Sequence, residues 1–460
     1  MNIKELINTD YDFIVTGITD DSREVKDGMI FVATHGFNVD HFNYINDAIK
    51  NGCIFLVIDR ELSFNFPHIV VDNIDSYYKV LCIKYYKINL EKFHFIGITG
   101  TDGKTTTSTI IKEIIGDSAY LGTNGLTVKE DSYKTNNTTP CIGEFYKYLK
   151  IIQDHDVSNV SMEVSSEALL HERISNILFD VVAITNVTGD HFNVHKNFKN
   201  YLNCKLKILE LVKNDGCIFL NKDDKSLKDI KKDNVYTYGF SKDADYLIEN
   251  VKYYKRKTII TLKDKDKSII IHSPLIGKFN VYNVVLAFLI GRFFGIDNDL
   301  LLRRIRVLKP IKGRCEFIDF NQNFDIVLDY AHTINGISNI LDTFKNYSRI
   351  ITVTGCAGGR DRSKRRTIGK LVMEKSDITI FTMDDPRFED VDNIIDEMVG
   401  DDSNYIRIID RKEAIFYALE IARKGDVVLI LGKGRDNYMA INDKKIFYSD
   451  YNVIKEFYKK

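Results

Sequence analysis

The stretch Phe95-Ile96-Gly97-Ile98-Thr99-Gly100-Thr101-Asp102-Gly103-Lys104-Thr105-Thr106-Thr107 constrains the fold of this chain more than any other. An apolar run of strand type ends in a glycine-rich turn. Lys104 and three threonines follow, then an apolar-periodic helix marked by Ile110, Ile111, Ile114 and Ile115. Glycines let backbone N–H groups approach an anion, and a helix N-terminus adds the positive end of a dipole. Lys104 adds a point charge, and a threonine hydroxyl can reach Mg²⁺. The pattern reads as a phosphate cradle. It departs from G-x-x-x-x-G-K-[ST] because Ile98 stands where the first glycine belongs. The plainer alternative is a βα turn with a surface lysine. It accounts less well for strand, glycines, Lys-Thr and helix occurring in that order.

The chain has 460 residues, which at roughly 150 per domain predicts about three domains. A formal net charge of -1 leaves no bulk attraction for nucleic acid or an anionic membrane. No apolar run reaches the ~18 residues of a membrane span. Met1 to Tyr11 lacks the apolar core of a secretory signal. Seven cysteines are scattered, without a C-x-x-C pair, which favours buried thiols in a reducing cytoplasm over disulfides or zinc.

Residues 1–90 read as a small α/β unit, with strands near 29–33, 54–58 and 68–71 and a helix near 44–50. Ser22 and Arg23 there read most simply as a solvated turn. From 91 to 310 strands and helices alternate, the mark of a mostly parallel sheet. One apolar strand ends at Glu163-Val164-Ser165-Ser166, and a second runs into Asn186-Val187-Thr188-Gly189-Asp190-His191. Open α/β sheets bind ligands beyond the carboxyl ends of their strands, so Glu163, Asn186, Asp190 and His191 are candidates for a nucleotide–metal site.

The next helix shows an apolar face of Phe198, Tyr201, Leu202, Ile208, Leu209 and Val212, and helical spacing puts Lys205 on it. A lysine there snorkels, pairs or is modified. As an ammonium it cannot ligate a metal; as a carbamate, after reaction with CO₂, it would offer carboxylate-like oxygens. Further on, Asn280 is a candidate cap of an apolar helix over 284–294, and the Asn283 amide a candidate adenine contact. Pro310-Ile311-Lys312-Gly313-Arg314 predicts a hinge.

From 311 to 460 four apolar strands each discharge into a polar loop, at Asp329, at Gly355, at Asp384-Asp385-Pro386-Arg387 and at Gly432-Lys433-Gly434-Arg435-Asp436. Charge of both signs at consecutive strand ends suggests a pocket for a zwitterion. The basic run from Arg360 to Arg366 reads as solvated or anion-binding.

These motifs together form a recognisable set: Asp21-Ser22-Arg23-Glu24-Val25 with Gly28 and Phe31, the Gly100 to Thr106 loop, Thr138-Thr139-Pro140, and Met162-Glu163-Val164-Ser165-Ser166. It continues with Asp190-His191 and His195, Tyr201 to Lys205, Phe279 to Asn283, Gly313-Arg314, and Asp329-Tyr330-Ala331-His332-Thr333. It ends with the Gly355 to Arg365 loop, Asp384 to Arg387 and Gly432-Lys433-Gly434. The set resembles the Mur ligases over nearly the whole chain. It is most similar to their MurE type, which adds the third residue to the UDP-N-acetylmuramoyl peptide of bacterial peptidoglycan.

The resemblance implies an α/β chain of three domains. These are a UDP-sugar-binding domain at 1–90, a P-loop ATPase-like domain with a mostly parallel sheet at 91–310, and a Rossmann-like amino-acid-binding domain at 311–460. It implies that Gly100, Thr101, Asp102, Gly103, Lys104, Thr105 and Thr106 bind ATP, with Asn283, Arg314 and Asp329. Thr105, Glu163, His191 and a carbamylated Lys205 would serve Mg²⁺, and Lys104, Glu163, His191 and Lys205 would be catalytic. Ser22, Thr138, Thr139, Ser165 and Arg173 would contact the UDP-linked substrate. Arg365, Asp384, Asp385, Pro386, Arg387, Gly432 and Asp436 would select the amino acid. The implied partners are a UDP-N-acetylmuramoyl dipeptide and a free amino acid, with no nucleic acid and no membrane insertion, for a cytoplasmic monomer.

The chain departs from the family pattern at several points. Asp102 and Asp385 stand in place of asparagine, Glu167 of histidine, His171 of glutamine, Asn335 of proline, and Arg435-Asp436 of His-Glu. Arg387 would still hold a distal carboxylate bidentately. The expected reaction joins a diamino acid, meso-diaminopimelate or L-lysine, to UDP-N-acetylmuramoyl-L-alanyl-D-glutamate through an acyl phosphate. The alternatives are a related amide ligase acting on another peptide or amino acid, a phosphate-loop NTPase, and a non-catalytic nucleotide-binding protein.

Overall fold

The computed structural model describes residues 1–36, 40–189 and 192–459, so Asp190 and His191 lie outside the described residues. Two compact units emerge. One comprises Met1–Thr99, Ile115–Ala183 and Cys204–Ile218; the other comprises Gly100–Ile114, Ile184–Asn203 and Phe219–Lys460. Among the described residues no helix is long and apolar enough to cross a membrane. All seven cysteines are free thiols, and six of them are buried.

The first unit opens with a parallel sheet in the order Gly17–Thr19, Met29–Val32, Cys53–Ile58, His68–Val70. Ile30, Phe31, Val32, Phe55, Leu56, Val57 and Ile58 are all buried, the signature of strands covered on both faces. Helix Ile74–Tyr86 packs against helix Ile142–Asp154. A larger sheet follows. His94–Thr99 and Ser118–Gly122 flank Asn159–Glu163 in parallel, and Gly125–Val128 and Asp131–Tyr133 extend the sheet antiparallel. Its register pairs Ile98 with Glu163 and Leu121 with Met162, so the carboxyl ends of these strands finish at one edge.

In the second unit the Lys/Asp-rich region forms Val235–Gly239, Tyr246–Tyr254, Lys257–Asp264 and Lys267–Ser273, the last three antiparallel. Its C-terminal part is a six-stranded sheet. The order is Glu316–Ile318, Asp325–Asp329, Val427–Leu431, Ile350–Thr354, Ile378–Phe381, Ile406–Arg407, parallel except for the first pair. Strand Val427–Leu431 shows why the sheet needs helices on both sides. Val427, Leu429 and Leu431 pack with Ile337, Leu341, Ile368 and Met398 on one face, and Val428 and Ile430 pack with Ile415, Leu419 and Ile454 on the other. A strand apolar on both faces cannot leave either in water. This is the doubly wound arrangement of the Rossmann-like domain that the resemblance implies for this part of the chain.

Two local expectations are corrected. The apolar face expected to run helically from Phe198 to Val212 stops early. Helix Phe198–Leu206 tightens into a 3-10 turn over Lys207–Glu210, and Val212 opens strand Val212–Asn221. The Leu211 carbonyl already accepts the Phe179 N–H, so sheet pairing overrides helical period there. Phe198 is 38% exposed, whereas Tyr201, Lys205 and Ile208 are buried. Asn280 does not cap its helix: helix Lys278–Phe293 begins after Gly277, whose φ of +92° suits glycine. Asn280 instead sits in the first turn and donates from Nδ2 to the Ile276 carbonyl at 2.8 Å.

Candidate active site

The phosphate loop joins strand His94–Thr99 to helix Lys104–Ile115, as its sequence predicts. Two of its glycines are obligatory on space and backbone. Gly100 has φ +148° and Gly103 φ +87°; a Cβ would lie 1.9 Å from Thr185 Oγ1 in the first case and 2.6 Å from Asn283 Oδ1 in the second. Asn186 clamps the Asp102 peptide: its Oδ1 accepts the Asp102 N–H at 3.0 Å and its Nδ2 donates to the Asp102 carbonyl at 3.1 Å. Thr101 Oγ1 donates to the Thr188 carbonyl and accepts the Thr188 N–H. Lys104 folds back over the loop and donates to the Gly100 and Thr101 carbonyls at 2.8 and 2.9 Å. The ammonium is thereby held at the helix N-terminus. Thr105 and Thr106 are buried in the first turn, and Thr107 Oγ1 donates to Asn283 Oδ1 at 3.1 Å.

Asn283 is therefore a packing partner of this helix, with its Nδ2 given to Asn280 Oδ1 at 3.1 Å. It is Asn280, with Leu275, Ile276, Pro310 and Phe317, that lines an apolar recess beside Arg314. Arg314 donates from Nη2 to Thr105 Oγ1 at 3.0 Å and lies over the Tyr330 ring, 4.7 Å from its centroid. Asp329, buried at the end of its strand, accepts the Cys315 and Ala331 N–H groups at 2.6 and 2.7 Å. Burial raises its carboxyl above the ordinary range, against the pull of Arg314.

Around the C-terminal sheet the strand ends gather charge. Lys433, 1% exposed, donates to Asp385 Oδ1 at 2.8 Å and lies 3.8 Å from Asp436 Oδ2. Burial works against its charge, but Asp384 and Asp385 outweigh burial and hold it above its ordinary value. Asp384 is 7% exposed, and among the described residues its carboxylate has no hydrogen-bond donor; Gly432 leaves room for it, since a Cβ there would lie 2.2 Å from Asp384 Oδ2. Burial raises Asp384, with Arg411 and Lys433 opposing, and pushes Asp436 up to about 6. Arg387, at φ +51° after Pro386, donates from Nη1 to the Gly358 carbonyl at 2.5 Å and has no carboxylate partner among the described residues. The strand ends thus present a buried carboxylate and a guanidinium, the two groups that a zwitterion requires.

Two arginines of this region have carboxylate partners. Arg365 is fully buried, with Nη1 on Glu389 (2.9 Å) and Glu397 (2.8 Å) and Nη2 on the Ala357 carbonyl, so its Nη atoms brace the glycine loop. Its hydrogen bond holds the Glu389 carboxyl down at about 2. Arg435 grips Glu316 with Nε and Nη2 and stacks on Tyr451 at 3.6 Å, which takes its charge out of the strand-end cluster.

In the first unit, Glu163 is 1% exposed. Its Oε1 accepts the Tyr120 hydroxyl at 2.5 Å and the Thr123 N–H at 2.9 Å, and its Oε2 accepts Thr123 Oγ1 at 3.2 Å. Gly122 is required by closeness alone, since a Cβ would lie 2.2 Å from Oε1. Thr138 Oγ1 meets Thr123 Oγ1 at 3.1 Å. Thr139 Oγ1 bridges the Glu163 carbonyl and the Ser165 N–H, and Arg173 Nη1 donates to the Thr139 carbonyl. Ser165 Oγ caps helix Ser166–Leu170. Ser22 is buried, not solvated, while Arg23 extends outward on Asp21. Lys205 is 1% exposed, as its helical position predicts. The sequence reading missed Tyr120 and Thr123, whose approach to Glu163 depends on strand register, and Lys433, which the motif Gly432-Lys433-Gly434 could have signalled.

In the first unit Glu163 offers carboxylate oxygens, the donor type a hard cation prefers, and among the described residues no group of three His, Cys, Asp or Glu side chains surrounds one point. Mg²⁺ is commonly held by one or two carboxylates together with substrate phosphates and water, so such sparse ligation fits it.

Residues 98–291 match the Mur ligase middle domain and residues 313–434 match the Mur ligase, glutamate ligase domain. A UDP-N-acetylmuramoyl-L-alanyl-D-glutamate–2,6-diaminopimelate ligase of Bacillus cereus is 34% identical over 459 residues, covering 96% of this chain and 94% of the relative. A solved structure of a UDP-N-acetylmuramoyl-L-alanyl-D-glutamate–2,6-diaminopimelate ligase superposes with TM-score 0.65 at 25% identity, covering 100% of this chain and 99% of that one. The fold also matches a MurF ligase from Thermotoga maritima solved in complex with ADP, with TM-score 0.68 at 18% identity over 96% of this chain and 97% of that one. Phosphate loop, strand-end charges, matched domains and near-full-length relatives agree: the chain belongs to the Mur ligase family.

Proposed function

We propose that this chain is an ATP-dependent, ADP-forming ligase that joins a diamino acid to UDP-N-acetylmuramoyl-L-alanyl-D-glutamate in peptidoglycan synthesis. The observation that carries the reading is that the chain holds both a phosphate cradle with its lysine and, at the C-terminal strand ends, the buried Asp384 carboxylate and the Arg387 guanidinium, neither of which has an oppositely charged hydrogen-bond partner among the described residues. An NTPase would need only the first.

A carboxylate does not react with an amine, because oxide is a poor leaving group. In the proposed reaction a carboxylate oxygen of the dipeptide attacks the γ-phosphorus, the bond to the β–γ bridging oxygen breaks, and ADP leaves. The amine then attacks the acyl phosphate, phosphate departs with the C–O electron pair, and the amine loses its proton. The protein contributes position and charge. Lys104 exchanges its two loop carbonyls for phosphate oxygens, and the loop N–H groups receive the rest. Thr105 and Glu163 would hold Mg²⁺, with His191 and a carbamylated Lys205; when bound, the ion neutralises phosphate charge. Asp384 receives the α-ammonium, and Arg387 receives a distal carboxylate through its free edge, which favours meso-diaminopimelate over L-lysine. Ser22, Thr138, Thr139, Ser165 and Arg173 line the path of the UDP-linked dipeptide.

We assign residues 1–90 to the UDP-sugar, 91–310 to ATP and 311–460 to the amino acid, a division that the matches at 98–291 and 313–434 support. The enzyme acts as a cytoplasmic monomer. Phosphate release by purified protein with ATP, the UDP-linked dipeptide and a panel of amino acids tests the whole reading. Strong stimulation by meso-diaminopimelate is expected. Turnover of ATP that no amino acid stimulates would overturn it in favour of an NTPase.

A further inference from the structure

Asp102 puts a carboxylate into a loop that must receive anions, and the structure shows where that charge goes. Its Oδ1 and Oδ2 accept the Thr333 hydroxyl at 3.1 and 3.3 Å, and Oδ2 accepts Asn335 Nδ2 at 3.4 Å. Thr333 is the N-cap of helix Ile334–Phe344: its Oγ1 accepts the Gly336 N–H at 2.9 Å while its proton goes to Asp102, so the hydroxyl is used in both directions. A carboxylate at a helix N-terminus is favoured by the helix dipole. The backbone of Asp102 is fixed as well, by Asn186 and by Thr185 Oγ1, which donates to its carbonyl at 2.6 Å.

The far end of this contact is not an isolated helix. Thr333 directly follows the Tyr330–His332 turn, which Asp329 holds through the Ala331 N–H; Asp329 also holds Cys315 N–H, next to Arg314. Arg314 returns to the loop through Thr105 Oγ1 at 3.0 Å. Two straps, one from residue 102 and one from residue 105, therefore tie the phosphate loop to a single turn organised by Asp329. Both side-chain partners Asp102 and Asn335 are departures from the family pattern, and here they are bonded to one another.

We propose that Asp102, Thr333 and Asn335 are positioning residues for the ligation step, a polar latch that sets the Asp329 turn and its strand against the phosphate loop. The inference rests on the ligase reading for its kinetic consequence, and on geometry alone for the latch. It assigns Asp102 no contact with phosphate. Its charge is spent on the latch, and the loop N–H groups and Lys104 serve the nucleotide.

The test is a double-mutant cycle of Asp102→Ala, Asn335→Ala and the double variant, with Asp102→Asn as the conservative control. ADP affinity by calorimetry, kcat for ligation, and the midpoint of denaturant unfolding are read for each. Asp102→Ala is expected to lower kcat about 10-fold or more while ADP affinity moves less than about threefold. Asp102→Asn, which keeps an acceptor oxygen, recovers most of kcat, and the double variant is no slower than Asp102→Ala alone, since the two act on one contact. Additive losses, an Asp102→Ala enzyme as fast as the parent, or ADP affinity falling in step with kcat would overturn the proposal. A parent protein that ligates nothing would defeat the ligase reading instead. The unfolding cycle then decides the latch, with coupled midpoints supporting it and additive ones rejecting it.

Discussion

Replacing Lys433 by methionine removes one buried positive charge at nearly constant length. The Nζ atom lies 2.8 Å from Asp385 Oδ1 and 3.8 Å from Asp436 Oδ2, on a side chain 1% exposed. Without it, among the described residues the Asp385 Oδ1 keeps only the Ala440 N–H, and Asp384 loses Lys433, which with Arg411 opposes the effect of its burial. Breaking a buried pair by deleting one partner costs about 3–5 kcal/mol, far more than a surface ion pair is worth.

The cost must depend on pH with a definite sign. A carboxyl whose folded pKa is raised penalises the folded state fully above that pKa, and the penalty fades as the pH falls through it. Asp436 stands at about 6 and Asp384 is raised in the same direction. Removing Lys433 pushes both higher still, so protonation relieves the variant more than the parent. Urea unfolding followed by far-UV circular dichroism should show a loss of about 3–5 kcal/mol near pH 8 that shrinks by about 1–2 kcal/mol near pH 5.5. The double variant Lys433→Met, Asp385→Asn should recover part of the loss. A loss under about 1 kcal/mol, or one unchanged between the two pH values, would refute the reasoning.

Other perturbations address the chemistry. Lys104→Ala should lower ligation by about 10³-fold or more with little change in unfolding; a variant retaining most of its activity in the phosphate-release assay would count against the cradle. Lys205→Ala should lose activity that short carboxylic acids partly restore, and full activity without them would remove the carbamate. Tyr120→Phe deletes a donor to Glu163 Oε1 and should raise the Mg²⁺ concentration for half-maximal rate by about 10-fold, an effect absent if Glu163 is only structural. Gly100→Ala places a methyl group 1.9 Å from Thr185 Oγ1, and calorimetry should find ADP binding lost.

What could be read in advance follows from how far each feature reaches along the chain. The phosphate loop is contiguous, so strand, turn and helix follow from a dozen residues, and both obligatory glycines were visible. The burial of Lys205 follows from a 3.6-residue period. The strand-end charges follow from apolar runs that stop at polar loops. Arg365 shows the opposite case: a basic run shows charge but not its partners, and Glu389 and Glu397 reach it from 24 and 32 residues away. Arg435, legible only as an added charge beside Asp436, is held by Glu316 from 119 residues upstream.

The order of residues alone thus determined the α/β class, the anion cradle and the places where ligands could gather, because these are set by local periodicity and turn chemistry. Only the folded chain decided which charge meets which. Tyr120 reaches Glu163 through strand register, Asp102 finds Thr333 across 231 positions, and Asn283 accepts the Thr107 hydroxyl and donates to Asn280. A side chain's partner is chosen by packing and by the cost of leaving a buried polar group unpaired, and neither quantity exists until distant segments have come together.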